Sequence, residues 1–379
     1  MVHFFKLISV SLLYGTHLGS ASVTTIDFGN NSENISLKLP GELRGTPTVE
    51  SGNAVAESLT SRDKSNRTFL RKIFSEAVKK TSDNVALSPV GIYFISSMTT
   101  RLLKGDLYEA WSRVAKRTKL ETLNSRLVAD PLVGSKSVIA GSYADMVPAD
   151  FTMDNFQVFD SVNVSAIEKF LETDVSEIRG ALGAAVHVLD FRGAWETDFS
   201  LRQRVTFSDG LDYMFMKARI LNVPSYNNAQ LEMITLPFRG GARSGNSVVI
   251  DFIKSKDTSN FELDLEDHPT WLLNAEVVAS HTDVSIPKID IEFSQFLNLS
   301  DEKNVDYLQK VAVKWDEDGV TAQAVTMRVG RSAFSRSPSF VADRPFYFII
   351  RKGNLWLFTG YVGAIDKDLE ITSDLNPLL

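Results

Sequence analysis

Residues 311–326 read VAVKWDEDGVTAQAVT. A short β-branched run, Val311–Trp315, has strand character and stops at the acidic triplet Asp316-Glu317-Asp318. Gly319 follows, and then a run of small uncharged side chains, Val320-Thr321-Ala322-Gln323-Ala324-Val325-Thr326. Taken alone, the stretch is a polar surface loop carrying an Ala/Thr run. Its meaning depends on the segments flanking it.

Those segments belong to an ordinary soluble chain. Its 379 residues suffice for one large buried core. A net charge of −7 gives no electrostatic footprint for nucleic acid. No internal run reaches the roughly 18 apolar residues of a membrane span. The absence of cysteine rules out thiol catalysis and thiolate metal sites. His187, His268 and His281 fall in no HExxH pattern or other ligand spacing, so no metal or cofactor is expected. The chain has no GxSxG elbow, no phosphate loop with Lys-Ser/Thr, and no GxGxxG. The glycine-rich stretch 240–245 reads as a turn. Catalysis by this chain is not expected.

Residues 1–21 read as a secretory signal: Lys6 is basic, Leu7–Tyr14 is apolar, and Gly19 and Ala21 are small at cleavage-like spacing. The alternative is a buried N-terminal element. Sequons at Asn30, Asn34, Asn66, Asn163 and Asn298 agree with secretion and glycosylation. Residues 22–64 are rich in Ser, Thr, Asn and Gly without a sustained period, and read as a flexible extension. The folded domain is expected over 65–379.

Within it, Ser65–Lys80 has helical spacing, Asn84–Leu87 is strand-like, and Ser88-Pro89 opens a helix through Met98. Residues 106–127 read as a helix, Val138–Met146 as a strand and Ala166–Leu171 as a short helix. Strands dominate from residue 185: Ala185–Phe191, Leu231–Leu236, Ser247–Ile253, Val284–Ile291, Val311–Trp315, Phe346–Arg351 and Leu355–Val362. Helices early and strands late give an α+β domain with mostly antiparallel sheets.

Six short segments then stand in register with one family. They are Asn84-Val85-x-Leu87-Ser88-Pro89, Phe191-Arg192-Gly193-Ala194-Trp195, Leu236-Pro237-Phe238-x-Gly240, Ser285-Ile286-Pro287-Lys288, Asp343-Arg344-Pro345-Phe346 and Phe358-x-Gly360-x-Val362. Each is weak alone; in this order they resemble a serpin. That resemblance implies the serpin fold, with three β-sheets, a helical N-terminal half and an exposed reactive centre loop at about 319–343. It implies a secreted monomer without a cofactor. Its partner would be a target serine protease of the trypsin-, elastase- or chymotrypsin-like type.

The stretch quoted first then resembles the hinge of inhibitory serpins, through Glu317, Gly319, Val320, Ala322 and Ala324. After cleavage the N-terminal half of the loop becomes a new central strand, and alternate side chains enter the core. Counted from Gly319 the inward set is Val320, Ala322, Ala324, Thr326, Arg328, Gly330 and Ser332. Arg328 is the awkward member, since burying an unpaired guanidinium costs several kcal/mol. Near a sheet end it can snorkel to solvent. The family usually places the cleaved residue fourteen positions beyond the hinge glycine, which gives Ala333-Phe334. Arg331-Ser332 suits a trypsin-like pocket and Phe334 a chymotrypsin-like one, so three sites stay open.

Under the strands that part, the family keeps buried Ser, Asn and His. Here Ser88 is retained, Gly91 stands at the second serine position, and His187 and Gln309 stand at the Asn and His positions. A His/Gln pair can replace Asn/His, each member offering a donor and an acceptor. An ordinary satisfied core histidine is the other reading of His187. The spans Asn84–Phe191 and Pro287–Gln309 are shorter than the family norm, implying trimmed helices. Arg113, Lys116, Arg117 and Lys119 fall where some serpins bind heparin-like polyanions. A solvated helix face shared with Glu109 and Glu121 accounts for them without a ligand.

Overall fold

The computed structural model describes residues 5–15, 84–98, 120–149, 151–239, 248–257, 265–297, 305–317, 338–353 and 355–366. In chain order the described elements are β1 (Phe5–Gly15), β2 (Val85–Leu87), α1 (Pro89–Met98), α2 (Leu120–Val128), β3 (Val133–Gly141), β4 (Phe156–Phe159), α3 (Val164–Leu171), β5 (Gly183–Gly193) and β6 (Leu201–Thr206). There follow β7 (Asp212–Asn227), β8 (Leu231–Pro237), β9 (Val248–Ser255), α4 (His268–Leu273), β10 (Glu276–Ile286) and β11 (Ile289–Leu297). The chain continues through β12 (Val305–Trp315), β13 (Ser339–Val341), β14 (Phe346–Lys352) and β15 (Leu355–Val362).

One sheet has six strands in the order β11-β12-β1-β5-β3-β4. The other path has nine, β13-β10-β7-β8-β9-β14-β15-β2 with β6 on β7. The long β7 joins two sheets within that path. Residues 216–225 pair with β10, Asp212–Lys217 pair with β6, and Ser225–Asn227 turn into the β8 pairing. Pairing is antiparallel apart from β3–β4 and β10–β13, as the sequence reading expects.

The six-stranded sheet is covered on both faces, which is why β5 is buried almost throughout. On one face Ala185, Leu189 and Phe191 join the main core with Phe94, Phe252, Phe348 and Phe358. On the other, Ile167 and Leu171 of α3 pack with Val138, Ala140, Ala184, Val186 and Leu308. Helix α3 starts where Asn163 caps it, Oδ1 accepting from Ala166 N at 3.1 Å. It ends at Glu172 in the left-handed region.

Two expected strand limits are corrected. The Val138–Met146 strand lies instead at Val133–Gly141, because the chain turns at Gly141 (φ 63°), where a Cβ would fall 2.2 Å from the Leu182 carbonyl oxygen. The Val284–Ile291 strand is two, ending at Ile286 and restarting at Ile289, since Pro287 has no N–H for the ladder. Of the 106–127 helix, the structure describes only the part in α2, and the 65–80 helix lies outside the described residues. With residues 1–21 retained, Phe5–Gly15 is a strand inside the six-stranded sheet.

Candidate functional site

The hinge begins where β12 ends. Trp315 is buried and its Nε1 donates to Pro287 O at 2.8 Å, fixing the strand end against the β10–β11 turn. One residue on, Asp316 O accepts from Trp195 Nε1 at 3.2 Å. Glu317 accepts from Arg202 Nη2 at 2.9 Å and forms an ion pair with Lys288 Nζ at 2.5 Å. Partial burial pushes the Glu317 carboxyl up, but the Lys288 hydrogen bond and the Lys288 and Arg202 charges outweigh it, so its pKa is lowered.

The far end is held differently. Asp283 N donates to Pro338 O and Ala342 N to Ser285 O, both at 2.9 Å, so β13 lies parallel along β10. Lys254, 8% exposed, donates to Val341 O at 2.7 Å, pairs with Glu232 and Asp343, and sits 5.3 Å from the Phe340 ring centre. Residues 318–337 thus leave from one fixed point and return to another. Gly319, Val320, Ala322 and Ala324 of the hinge lie outside the described residues, as do the bond candidates Ala333, Phe334, Arg331 and Ser332.

The short motifs meet in space. Trp195 stacks on Phe238 (5.3 Å, 15°), and Phe191 meets Phe238 edge-on at 4.9 Å. Gly193 lies against these rings, where a Cβ would come within 2.9 Å of Phe238. At Gly360 a Cβ would fall 2.2 Å from the Phe348 ring, so only glycine fits. Asn84 Oδ1 accepts from Gly363 N and Ala364 N at 2.9 and 3.1 Å, tying the first motif to the last.

Residues 296–364 match the family model described as Serpin (serine protease inhibitor). Serpin-Z3 of Arabidopsis thaliana is 25% identical over 281 residues, covering 60% of this chain and 71% of the relative. The fold superposes on native protease nexin-1 with heparin at a TM-score of 0.58, with 16% identity, over 82% of this chain and 100% of that one. It also superposes on the thyroxine-binding globulin complex with thyroxine at 0.55, with 13% identity, over 81% and 99%. The chain is similar to serpins in sequence and shares their fold.

His187 and Gln309 stand on β5 and β12 of the six-stranded sheet. Beneath it, Ser88 Oγ donates to Leu357 O at 2.8 Å and accepts from Gly91 N at 3.1 Å, capping α1. Gln309 closes a two-way contact with the Ser88 backbone: Oε1 accepts from Ser88 N at 3.2 Å and Nε2 donates to Ser88 O at 3.0 Å. His187, fully buried, bonds Ser137 Oγ through Nδ1 at 3.0 Å and stacks on Phe94 at 4.2 Å. Burial pulls its pKa down to about 3, against a backbone hydrogen bond at Lys136, so the ring is neutral. Its Nε2 has no hydrogen-bond partner among the described residues.

Ser88 and Gln309 are therefore joined, but His187 and Gln309 are not each other's partners. They stand on β5 and β12 with β1 between them, Ser11 being opposite both. Sequence reasoning missed Ser137 and Phe94, which partner His187, and Arg202, which holds Glu317. None lies in a motif; Ser137 is visible only as the residue opposite His187 once β3 and β5 are paired. Of the sequons, Asn163 is described and exposed, while Asn30, Asn34, Asn66 and Asn298 lie outside the described residues. The basic positions 113–119 also lie outside them, and among the described residues no group of acidic, His or Cys side chains could hold a metal.

Proposed function

We propose that the protein is a suicide-type inhibitor of a serine endopeptidase, with residues 318–337 as bait. Serpins generally act on proteases as inhibitors rather than as catalysts. The reading rests on one observation: a chain segment with small residues after Gly319 is strung between Glu317 and Pro338, at the end of β12 beside the sheet that must receive it. The protease serine attacks the carbonyl of Ala333, or of Arg331 or Phe334. The peptide C–N bond breaks, the new amine leaves with the C-terminal part, and an acyl ester remains on the protease. Insertion of the N-terminal half then carries the protease away before water resolves the ester, driven by energy stored in the native fold. The inhibitor contributes no acid, base or nucleophile.

Secretion through a signal at 1–21, carbohydrate on the sequons and a monomeric state belong to the same reading. So does polyanion contact at 113–119; the likeness to a protease nexin-1 structure with heparin supports it only as far as the fold. A specific observation favours a second reading, a non-inhibitory binding or carrier serpin: Arg328 stands in the inward set. Incubation of the chain lacking residues 1–21 with trypsin-, elastase- and chymotrypsin-like proteases separates the two. An SDS-stable complex, with the released C-terminal peptide sized by mass spectrometry, is expected and names the cleaved bond. Cleavage without complex, and without a gain in thermal stability, sinks the inhibitory reading.

A further inference from the structure

The strand β1 occupies a particular place. It pairs antiparallel with β12 from Leu7↔Val313 to Gly15↔Val305 and antiparallel with β5 from Phe5↔Gly193 to Tyr14↔Ala184. The two flanking strands therefore run parallel to each other, with one antiparallel strand between them. A chain that leaves β12 at Trp315 and folds back beyond Glu317 would run antiparallel to β12. It would enter from the same end as β1, since Leu7 faces Val313, two residues before Trp315. The direction, neighbours and entry end of an inserting loop are those β1 already has.

We propose that residues 5–15 are an intramolecular occupant of the loop-insertion slot, so that the chain retaining them is blocked from inserting its reactive loop. The blocking half of the proposal rests on the inhibitory reading above. A strand covered on both sheet faces needs a near-continuous apolar, β-favouring sequence. FKLISVSLLYG supplies it, with Lys6 near the sheet end. The same composition reads as the apolar part of a secretory signal, so the segment that would direct export is also the segment that fills the slot. Ser11 stands in a cross-strand row, Gln295–Gln309–Ser11–His187–Ser137, and completes it by register. The strand's only charged residue is Lys6, one residue from its start, whereas the loop's own inward set would bring Arg328 well into the strand. Two strands cannot share one pair of ladders. Loss of the segment, by processing after residue 21 or by displacement, opens the gap between β5 and β12.

The test uses the full chain. It has no cysteine, so Ser9→Cys with Val311→Cys, register partners in β1 and β12, can form only one intramolecular disulfide. Quantitative cross-linking is expected, and none for the off-register pair Ser9→Cys with Val305→Cys. Should the cysteine variants fail to fold, hydrogen exchange on the unaltered chain reads the same occupancy. Amides of 184–193 and 305–313 should exchange slowly, and faster in Val10→Pro, which removes a ladder donor in mid-strand. The Val10→Pro chain should then form protease complexes that the unaltered chain does not. No cross-link and unchanged exchange overturn the occupancy, whatever the inhibitory outcome. Cross-linking with complexes formed equally by both chains overturns the block. Occupancy with no complex from either chain overturns the inhibitory reading and, with it, the block, while leaving the strand assignment standing.

Discussion

Two buried polar groups, one in each sheet, are built on opposite plans. In the six-stranded sheet, Gln309, His187 and Ser137 are neutral, as is Ser88 beneath it, and His187 Nε2 is left without a partner among the described residues. In the nine-stranded sheet, Asp251 is a fully buried carboxylate gripped from three sides. Thr235 Oγ1 donates at 2.6 Å, His268 Nε2 lies at 2.8 Å, and Arg351 makes contacts at 2.5 and 3.1 Å. The carboxylate's pKa sits at about 2: burial pushes it up, but His268 and Arg351 more than offset that. A charged cluster resists separation, because parting it strands charges in the core. A neutral row costs less to pull apart. On the inhibitory reading proposed above, the sheet that opens carries the second kind and the other sheet carries the first.

The comparison can be broken most forcefully at Asp251. Asp251→Ala leaves Arg351 and His268 facing an empty core site, and should cost about 3–5 kcal/mol in a urea titration. Next, His187→Ala removes the Ser137 bond and the Phe94 stack and should cost about 1–3 kcal/mol. An unmoved midpoint would mean that the neutral row contributes nothing.

Acid separates the two groups by window. With a folded pKa of about 3 against 6.5, His187 binds its proton only in the unfolded chain over that range. Its contribution is therefore present above pH 6.5 and lost as pH falls toward 3. Between pH 6.5 and 5 the loss is about 2 kcal/mol. Asp251, lowered to about 2 from 3.8, gives up its contribution only below pH 3.8. His187→Asn should flatten stability between pH 6.5 and 4, whereas Asp251→Asn should leave that slope intact. The smallest effect is expected at the hinge. Glu317→Gln loosens Arg202 and Lys288, two partly exposed cations, and should cost about 1 kcal/mol or less, read by the same titration.

How much of this was legible beforehand depends on how local each signal is. Strand Leu355–Val362 was read to the residue, and Gly360 was fixed by the F-x-G-x-V spacing, because one ring contact makes glycine obligatory. Strand β7 was missed. Its sixteen residues alternate irregularly, pairing with β6 and β10 and then β8, so no single face sets the period. Ser88 and Gln309 were found by their offsets from motifs. The expected His187–Gln309 contact is not made, because the partner of a buried side chain is set by strand order, which spacing along the chain does not carry. Residues 5–15 are the sharpest case, since a signal's apolar run and a doubly covered strand obey the same composition rule.

The Lys254 anchor has a mechanical consequence. The two ends of residues 318–337 differ in their response to ionic strength. Glu317 is held partly by Arg202, whose side chain is 67% exposed, and salt screens such contacts. Lys254 is nearly enclosed and is held by a carbonyl, two carboxylates and a ring, where ions from solvent scarcely reach. Rising salt therefore weakens the Glu317 contact more than the Lys254 anchor.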